Sequence, residues 1–126
     1  MIDHVSIEVA DLTRAAAFYE RVLGEIGLAK LVERETTVGF GKRYPEFWLN
    51  VRAGREETPA ASGMHVCLRT RSTEAVDAFH AAALAAGATD DGRSGRRPEY
   101  SPTYYAAFIR DPDGNRIEVV TFVETS

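Results

Sequence analysis

Only one of the 126 residues is a cysteine, Cys67, so no disulfide can form within the chain. A domain of this length buries about two-thirds of its unfolded surface and needs no such staple. A lone thiol fits a reducing, cytoplasmic setting. Basic charge is also scarce. Fifteen Lys and Arg stand against nineteen Asp and Glu, for a net charge of −4, which lacks the electrostatic footprint of a general nucleic-acid binder. No apolar run approaches the roughly 18 residues of a membrane-crossing helix. The chain enters a strand-like alternation at Ile2, without the basic start and apolar stretch of a secretory signal. Gly39-Phe40-Gly41 is no dinucleotide fingerprint, and there is no phosphate-binding lysine loop, Gly-x-Ser-x-Gly elbow or Cys-x-x-Cys pair. With 44% hydrophobic and 27% charged residues, the composition is that of a folded globular domain and excludes a disordered chain.

The pattern along the chain is strand, helix, then short strands, and it occurs twice. Residues 2–9 alternate, with Val5, Ile7 and Val9 on one face and His4, Ser6 and Glu8 on the other. Asp11 is placed to cap a helix carrying Ala15, Phe18, Tyr19, Val22 and Leu23, with Gly24 and Gly27 at its end. Residues 29–34 and 36–41 read as strands around a charged turn. A third strand covers 47–51, with Pro45 in the turn before it. The small, polar stretch 52–63 reads as a linker. Then Met64–Arg69 reads as a strand. Ser72 caps a second helix bearing Val76, Phe79, Ala83 and Leu84, and Gly87 closes it. Residues 92–103 read as a long loop and Tyr104–Arg110 as a strand. Asp111-Pro112-Asp113-Gly114 is a turn before the closing strand Arg116–Phe122.

A shift of 61 residues places His4 on His65, Val5 on Val66, Phe18 on Phe79 and Leu23 on Leu84. One repeat of strand, helix and three strands explains both halves. The expected fold class is α+β: two tandem βαβββ modules, residues 1–55 and 64–126 of a single 1–126 domain, forming a curved, cup-like mixed sheet with helices outside.

Strand parity then selects candidates for chemistry. If each apolar strand face packs on its helix, the opposite face carries His4, Ser6, Glu8, Trp48 and Asn50 in the first module. In the second it carries His65, Cys67, Arg69, Arg116 and Glu118. His4, His65 and Glu118 together make a ligand set suited to a divalent first-row metal such as zinc, nickel, manganese or iron. Three ligands leave positions open for water or substrate. A reading without metal is also open, in which the histidines merely begin strands at a sheet edge and Glu118 is exposed.

Asp3-His4-Val5, the helix ending Phe18-Tyr19 and Leu23-Gly24, His65-Val66, Tyr104–Phe108 and Asp111-Pro112-Asp113-Gly114-Asn115-Arg116-Ile117-Glu118 resemble the vicinal oxygen chelate superfamily. That group includes glyoxalase I, fosfomycin-resistance thiol transferases, extradiol dioxygenases and bleomycin-binding proteins, and an uncharacterised bacterial glyoxalase-like subgroup is the nearest in pattern. The resemblance implies metal ligands at His4, His65 and Glu118. Glyoxalase I enzymes often add a glutamate on the last strand of the first module. Here Asn50 or Trp48 stands near that place, which argues against glyoxalase I activity itself.

Two functions follow as expectations. One is a metal-dependent enzyme acting on a small molecule with vicinal oxygens, of lyase, isomerase, thiol-transferase or dioxygenase type, with Glu118 or Glu8 moving a proton. The other is a metal-free protein that sequesters a small molecule or antibiotic in an apolar cup. Trp48, Asn50, Arg69, Arg96, Arg97 and Tyr104 are the candidate substrate contacts. Arg93, Arg96 and Arg97 either hold an anionic group or lie on a solvated loop. One of Tyr104 and Tyr105 should face the cup and the other the core. Glu8 is either a base or the partner of an arginine such as Arg69. Cys67 reads as a small buried thiol and His80 as a half-exposed surface residue. A homodimer is expected, because two small modules leave sheet edges to cover. The partner implied is a small molecule, with no nucleic acid and no membrane.

Overall fold

The computed structural model describes residues 1–52 and 63–124, and the chain divides into two compact units, Met1–Ser62 and Gly63–Ser126. Both have the expected α+β composition and the same order of elements. Unit 1 contains β1 (Val5–Glu8), α1 (Leu12–Gly24), β2 (Ala29–Glu33), β3 (Thr37–Gly41) and β4 (Pro45–Asn50). Unit 2 contains β5 (His65–Arg69), α2 (Thr73–Ala85), β6 (Thr89–Arg96), β7 (Tyr104–Arg110) and β8 (Arg116–Phe122). Each unit closes a four-stranded mixed sheet, β1-β4-β3-β2 in the first and β5-β8-β7-β6 in the second. The first and last strands of each module pair in parallel, and the remaining pairs are antiparallel.

Local chemistry sets the helix boundaries. The Asp11 carboxylate accepts the Arg14 N–H at 3.1 Å, and the Ser72 hydroxyl accepts the Ala75 N–H at 3.1 Å. Each satisfies one of the backbone donors that open a helix without an intrahelical partner. A glycine of positive φ follows each helix, Gly27 at 85° three residues past α1 and Gly87 at 105° two residues past α2. On α1 the stripe Ala15, Phe18, Tyr19, Val22 and Leu23 is buried. It packs on the β-sheet face formed by Phe47 and Leu49 of β4 with Val38 and Phe40 of β3, all of them buried. On α2 the buried set is Val76, Phe79, Ala82 and Ala83, with Ile109, Ile117 and Val119 beneath in the sheet's buried face. Phe18 and Tyr19 meet edge to face at 4.9 Å, and Tyr19 lies 5.2 Å from Phe47.

Several readings need correction. Residues 92–96, expected in a long loop, belong to β6, which pairs with β7 through register shifts on either side of Gly92. Pro45 begins β4 instead of sitting in the turn before it. The first strand begins at Val5, which leaves His4 just ahead of it. Leu84 is 39% exposed, although its counterpart Leu23 is fully buried. His80 is 9% exposed, because its Nε2 lies 2.9 Å from Asp90 Oδ1 on β6. Cys67 is exposed on the edge strand β5, with its thiol partly desolvated beside Glu118, and is not a buried core residue. Of the 52–63 linker, residues 53–62 lie outside the described residues.

Candidate functional site

The polar face of the second sheet gathers a connected set of side chains. On β5, His65, Cys67 and Arg69 point away from the helix. On β8, Glu118 pairs in register with Cys67, and on β7 Phe108 pairs with Glu118. Glu118 is 3% exposed. A carboxylate buried to this degree needs partners, and both of its oxygens have one. His65 Nε2 lies 3.0 Å from Oε1, and the Tyr104 hydroxyl donates to Oε2 at 2.5 Å. Burial, then the hydrogen bond to Glu118 and its charge, raise the Tyr104 hydroxyl well above the usual tyrosine value. Cys67 is part of the same group. Loss of solvation, then the Glu118 charge and a hydrogen bond to it, push its thiol up to about 12. The thiol therefore stays protonated at neutral pH and is a poor nucleophile.

Tyr104 and Tyr105 divide as alternation requires: Tyr104 reaches Glu118, and the Tyr105 hydroxyl donates to Asp77 on α2 at 2.7 Å. Next to Glu118 runs an aromatic row. Tyr100 and Tyr104 meet edge to face at 5.2 Å, Tyr104 and Phe122 at 5.5 Å, and the Arg69 guanidinium lies over Phe122 at 4.9 Å. Arg69 is therefore engaged with Phe122. The Arg96 guanidinium donates to the Pro102 carbonyl at 3.4 Å.

A cleft of about 310 Å³ opens beside His65, within unit 2. Its walls include Asp91, Arg97, Tyr100, Phe108 and Arg116. Asp91, Tyr100 and Phe108 were not picked out from the sequence as ligand contacts. Phe108 shares the strand parity of Tyr104 and could have been found that way. Asp91 and Tyr100 depend on the path of β6 and the turn after it, for which the sequence carries no periodic signal.

The corresponding face of unit 1 is built differently. His4 Nδ1 lies 2.8 Å from Asp3 Oδ1, and both side chains are exposed. Glu8 pairs with Arg52 Nε at 3.3 Å. Asn50 Nδ2 donates to Ser6 Oγ at 2.7 Å and to the Ile7 carbonyl at 3.1 Å. Trp48 carries the Arg34 guanidinium over its ring at 5.4 Å. Register decides which residue occupies the place of the missing glutamate. Ser6 pairs with Trp48, and its counterpart at a shift of 61, Cys67, pairs with Glu118. Trp48 is thus the unit 1 equivalent of Glu118. Asn50 is the equivalent of Val120.

Among the described residues, no group of three or more His, Cys, Asp or Glu side chains is assembled closely enough to hold a metal ion. The donor chemistry nevertheless suits one. His65 Nε2 and Glu118 Oε1 are an imidazole nitrogen and a carboxylate oxygen, side by side and 3.0 Å apart. Two ligand atoms bound at about 2.1 Å and at a right angle lie about that far apart. In His4, Asp3 holds Nδ1 and leaves Nε2 for a ligand role, the usual carboxylate–histidine arrangement around metals. No described helix is long and apolar enough to cross a membrane.

Comparison with known proteins adds four findings. The family model described as Glyoxalase/Bleomycin resistance protein/Dioxygenase superfamily matches residues 1–119. A metallothiol transferase FosB from Shouchella clausii (strain KSM-K16) is 31% identical over 122 residues, covering 95% of this chain and 79% of that protein. Among solved structures, a glyoxalase/bleomycin resistance protein from Albidiferax ferrireducens T118 superposes with a TM-score of 0.83 at 29% identity, over 94% of this chain and 96% of the other. A glyoxalase/bleomycin resistance protein/dioxygenase family enzyme from Burkholderia phytofirmans PsJN shares the fold, with a TM-score of 0.76 at 21% identity over 97% and 98% of the two chains.

Proposed function

The chain belongs to the Glyoxalase/Bleomycin resistance protein/Dioxygenase superfamily, and from that premise we propose that it is a metal-dependent enzyme acting on a small molecule with two neighbouring oxygen donors. The observation that carries this reading is the buried Glu118 carboxylate, held by His65 on one oxygen and Tyr104 on the other. In this reading His65 and Glu118 hold the ion, and His4 supplies the third donor from the same chain or from a second copy. A divalent ion so bound supplies a Lewis acid for charge developing on substrate oxygen.

The remaining roles fall to the chain's own side chains. Tyr104 positions Glu118 by donating to Oε2, so that Oε1 faces His65. Asp3 fixes the tautomer and orientation of His4. Glu8, 21% exposed in its side chain and steadied by Arg52, is the carboxylate left to move a proton. Trp48 and Asn50 on the polar face of unit 1, and Tyr104 and Arg69 on that of unit 2, are the proposed substrate contacts. The similarity to a metallothiol transferase supports a transferase-type reaction among the activities of the superfamily. The expected assembly is a homodimer. Ile2 and Met64 support this, at 79% and 78% exposure, as does the edge position of β1 and β5. Light scattering at low micromolar protein should give twice the chain mass.

Calorimetry with zinc, nickel and manganese on chelator-stripped protein tests the metal reading. One ion per chain is expected, with affinity lost by at least about 100-fold in His65→Ala and by about 10-fold in Tyr104→Phe. No binding to the unaltered protein would overturn it. The presence of Trp48 at the position equivalent to Glu118 favours one other reading, a metal-free binding protein. Thermal-shift screening of oxygen-chelating compounds with and without metal separates the two, because equal shifts in both conditions belong to the metal-free reading.

A further inference from the structure

The cleft beside His65 holds a cation that no carboxylate among the described residues pairs with. Arg97 follows the last residue of β6, and the backbone on both sides of it is pinned. Its N–H donates to the Tyr104 carbonyl at 2.9 Å, and its own carbonyl accepts from Tyr100 at 2.9 Å and Ser101 at 3.2 Å. The side chain then folds back over its own strand. Nη1 donates to the carbonyls of Gly95 at 3.0 Å and Arg96 at 3.3 Å, and Nη2 to that of Arg93 at 2.6 Å. Among the described residues none of its partners is acidic. These contacts fix the guanidinium in place, but neutral carbonyls leave its charge uncompensated. A guanidinium has about five N–H donors, so roughly two remain for a ligand.

The surroundings are arranged to match. Arg97 lies 5.5 Å above the Phe108 ring, and the His65 ring centroid lies 6.5 Å from that of Phe108. Phe108 is therefore a shared floor, and the guanidinium and the imidazole are no further apart than those two distances together. Gly92 makes this floor accessible at the β6 bulge. Its φ is 151°, and a Cβ there would lie 2.9 Å from Phe108 Cδ1. The lone acid in the lining, Asp91, is shared between two arginines, Arg110 at 3.5 Å and Arg116 at 3.8 Å. Asp91 is thus already engaged with cations of the chain. The volume, about 310 Å³, lies at the small end of ligand pockets.

We propose that this cleft binds a small organic carboxylate, with its anionic group on Arg97, its apolar body on Phe108 and Tyr100, and its other end beside His65. Arg97 is then the residue that selects for charge. Its fork suits a planar carboxylate in a way a lysine would not. The inference deepens the metalloenzyme reading by naming a substrate class, and rests on that reading only for what happens at the His65 end.

Titration of the chelator-stripped protein with benzoate, with benzyl alcohol as the neutral analogue and inorganic phosphate as a second oxyanion, tests it. Benzoate is expected to bind to the unaltered chain, and at least tenfold more weakly to Arg97→Gln, with Arg97→Lys between the two. Benzyl alcohol should bind weakly and equally to all three. Equal benzoate affinity in the unaltered protein and Arg97→Gln would overturn the proposal. So would the absence of benzoate binding at millimolar concentration, or phosphate binding tightly where benzoate does not. A readout that needs no variant is the arginine Nε–H spectrum of ¹⁵N-labelled unaltered protein. One side-chain resonance should shift on adding benzoate and remain in place with benzyl alcohol, and a spectrum that benzoate leaves unmoved counts against the site. Zinc calorimetry on the same samples keeps the two ideas apart. Benzoate binding without zinc binding would sink the metal reading and leave this one standing, and zinc binding without benzoate binding would do the reverse.

Discussion

The two units are built from one plan and differ where it matters for chemistry. Both begin with a histidine just before or at the head of an edge strand, cap the next helix with a short polar side chain, and close a sheet in the order first, last, third, second. At the central register position of the closing strand, unit 2 carries Glu118 and unit 1 carries Trp48. Glu118 draws His65 and Tyr104 onto its two oxygens. Trp48 lies across Gly39, where a Cβ would come within 3.0 Å of its ring, and takes Arg34 on its face. One half has kept a buried, fully partnered carboxylate, and the other has an aromatic wall. A fold of repeated modules can therefore carry a buried, partnered carboxylate in one copy and an aromatic side chain at the equivalent register position in the other without changing its topology.

The helices repeat the lesson in their packing. Leu23 and Leu84 occupy equivalent positions, but Leu23 is fully buried and Leu84 is 39% exposed. Leu23→Ala should cost about 2–5 kcal/mol, the usual range for a buried leucine. Leu84→Ala should cost less than about 1 kcal/mol, since a partly exposed side chain leaves little cavity behind. Urea denaturation of the two variants measures the difference, and equal midpoints would break the comparison.

A second test addresses the closing strands directly. Glu118→Gln should weaken metal binding by at least about 100-fold. Trp48→Gln should change it by less than about 0.5 kcal/mol. If the two substitutions weaken binding alike, Trp48 belongs to the metal's surroundings and the division of labour between the units is wrong.

Much of this arrangement was legible in the sequence, because it rests on periodicity. Alternation in Val5–Val9 and His65–Arg69 assigned the faces correctly, and Asp11 and Ser72 marked the helix starts. The 61-residue offset brought out the module repeat. What was not legible depends on partners distant in sequence. Residues 92–96 have two glycines, three arginines and a serine among 92–97, and no apolar alternation. They form a strand only because β7 provides a ladder, and they need bulges to follow it. The burial of His80 could not be foreseen without knowing that Asp90 of that strand lies 2.9 Å from its ring. Strand parity put one of Tyr104 and Tyr105 on the cup face, but only the structure shows that it is Tyr104 whose hydroxyl reaches Glu118 while Phe108 sits opposite.

The smallest expected effect concerns that His80–Asp90 contact, whose carboxylate is replaced by Ala29 at the equivalent position of unit 1. The residue equivalent to His80 is Tyr19, fully buried among aromatic rings. The Asp90 carboxylate accepts the Gly92 N–H at 3.0 Å and lies 2.9 Å from His80 Nε2. The backbone hydrogen bond first, and the His80 contact second, hold its carboxyl below the ordinary value of 3.8. A carboxyl whose folded value is depressed contributes stability that is complete above its unfolded value. That contribution is lost as pH falls through the folded one. The thermal midpoint of the unaltered protein should therefore exceed that of Asp90→Asn at pH 5, and the margin should narrow as the pH falls below about 3.8. Because Asp90 is solvent-exposed, the margin should be modest even at neutral pH. A margin unchanged from pH 5 to pH 3 would mean that the carboxylate contributes only its shape to the β6 bulge, and that acid sensitivity is not what distinguishes the second unit from the first.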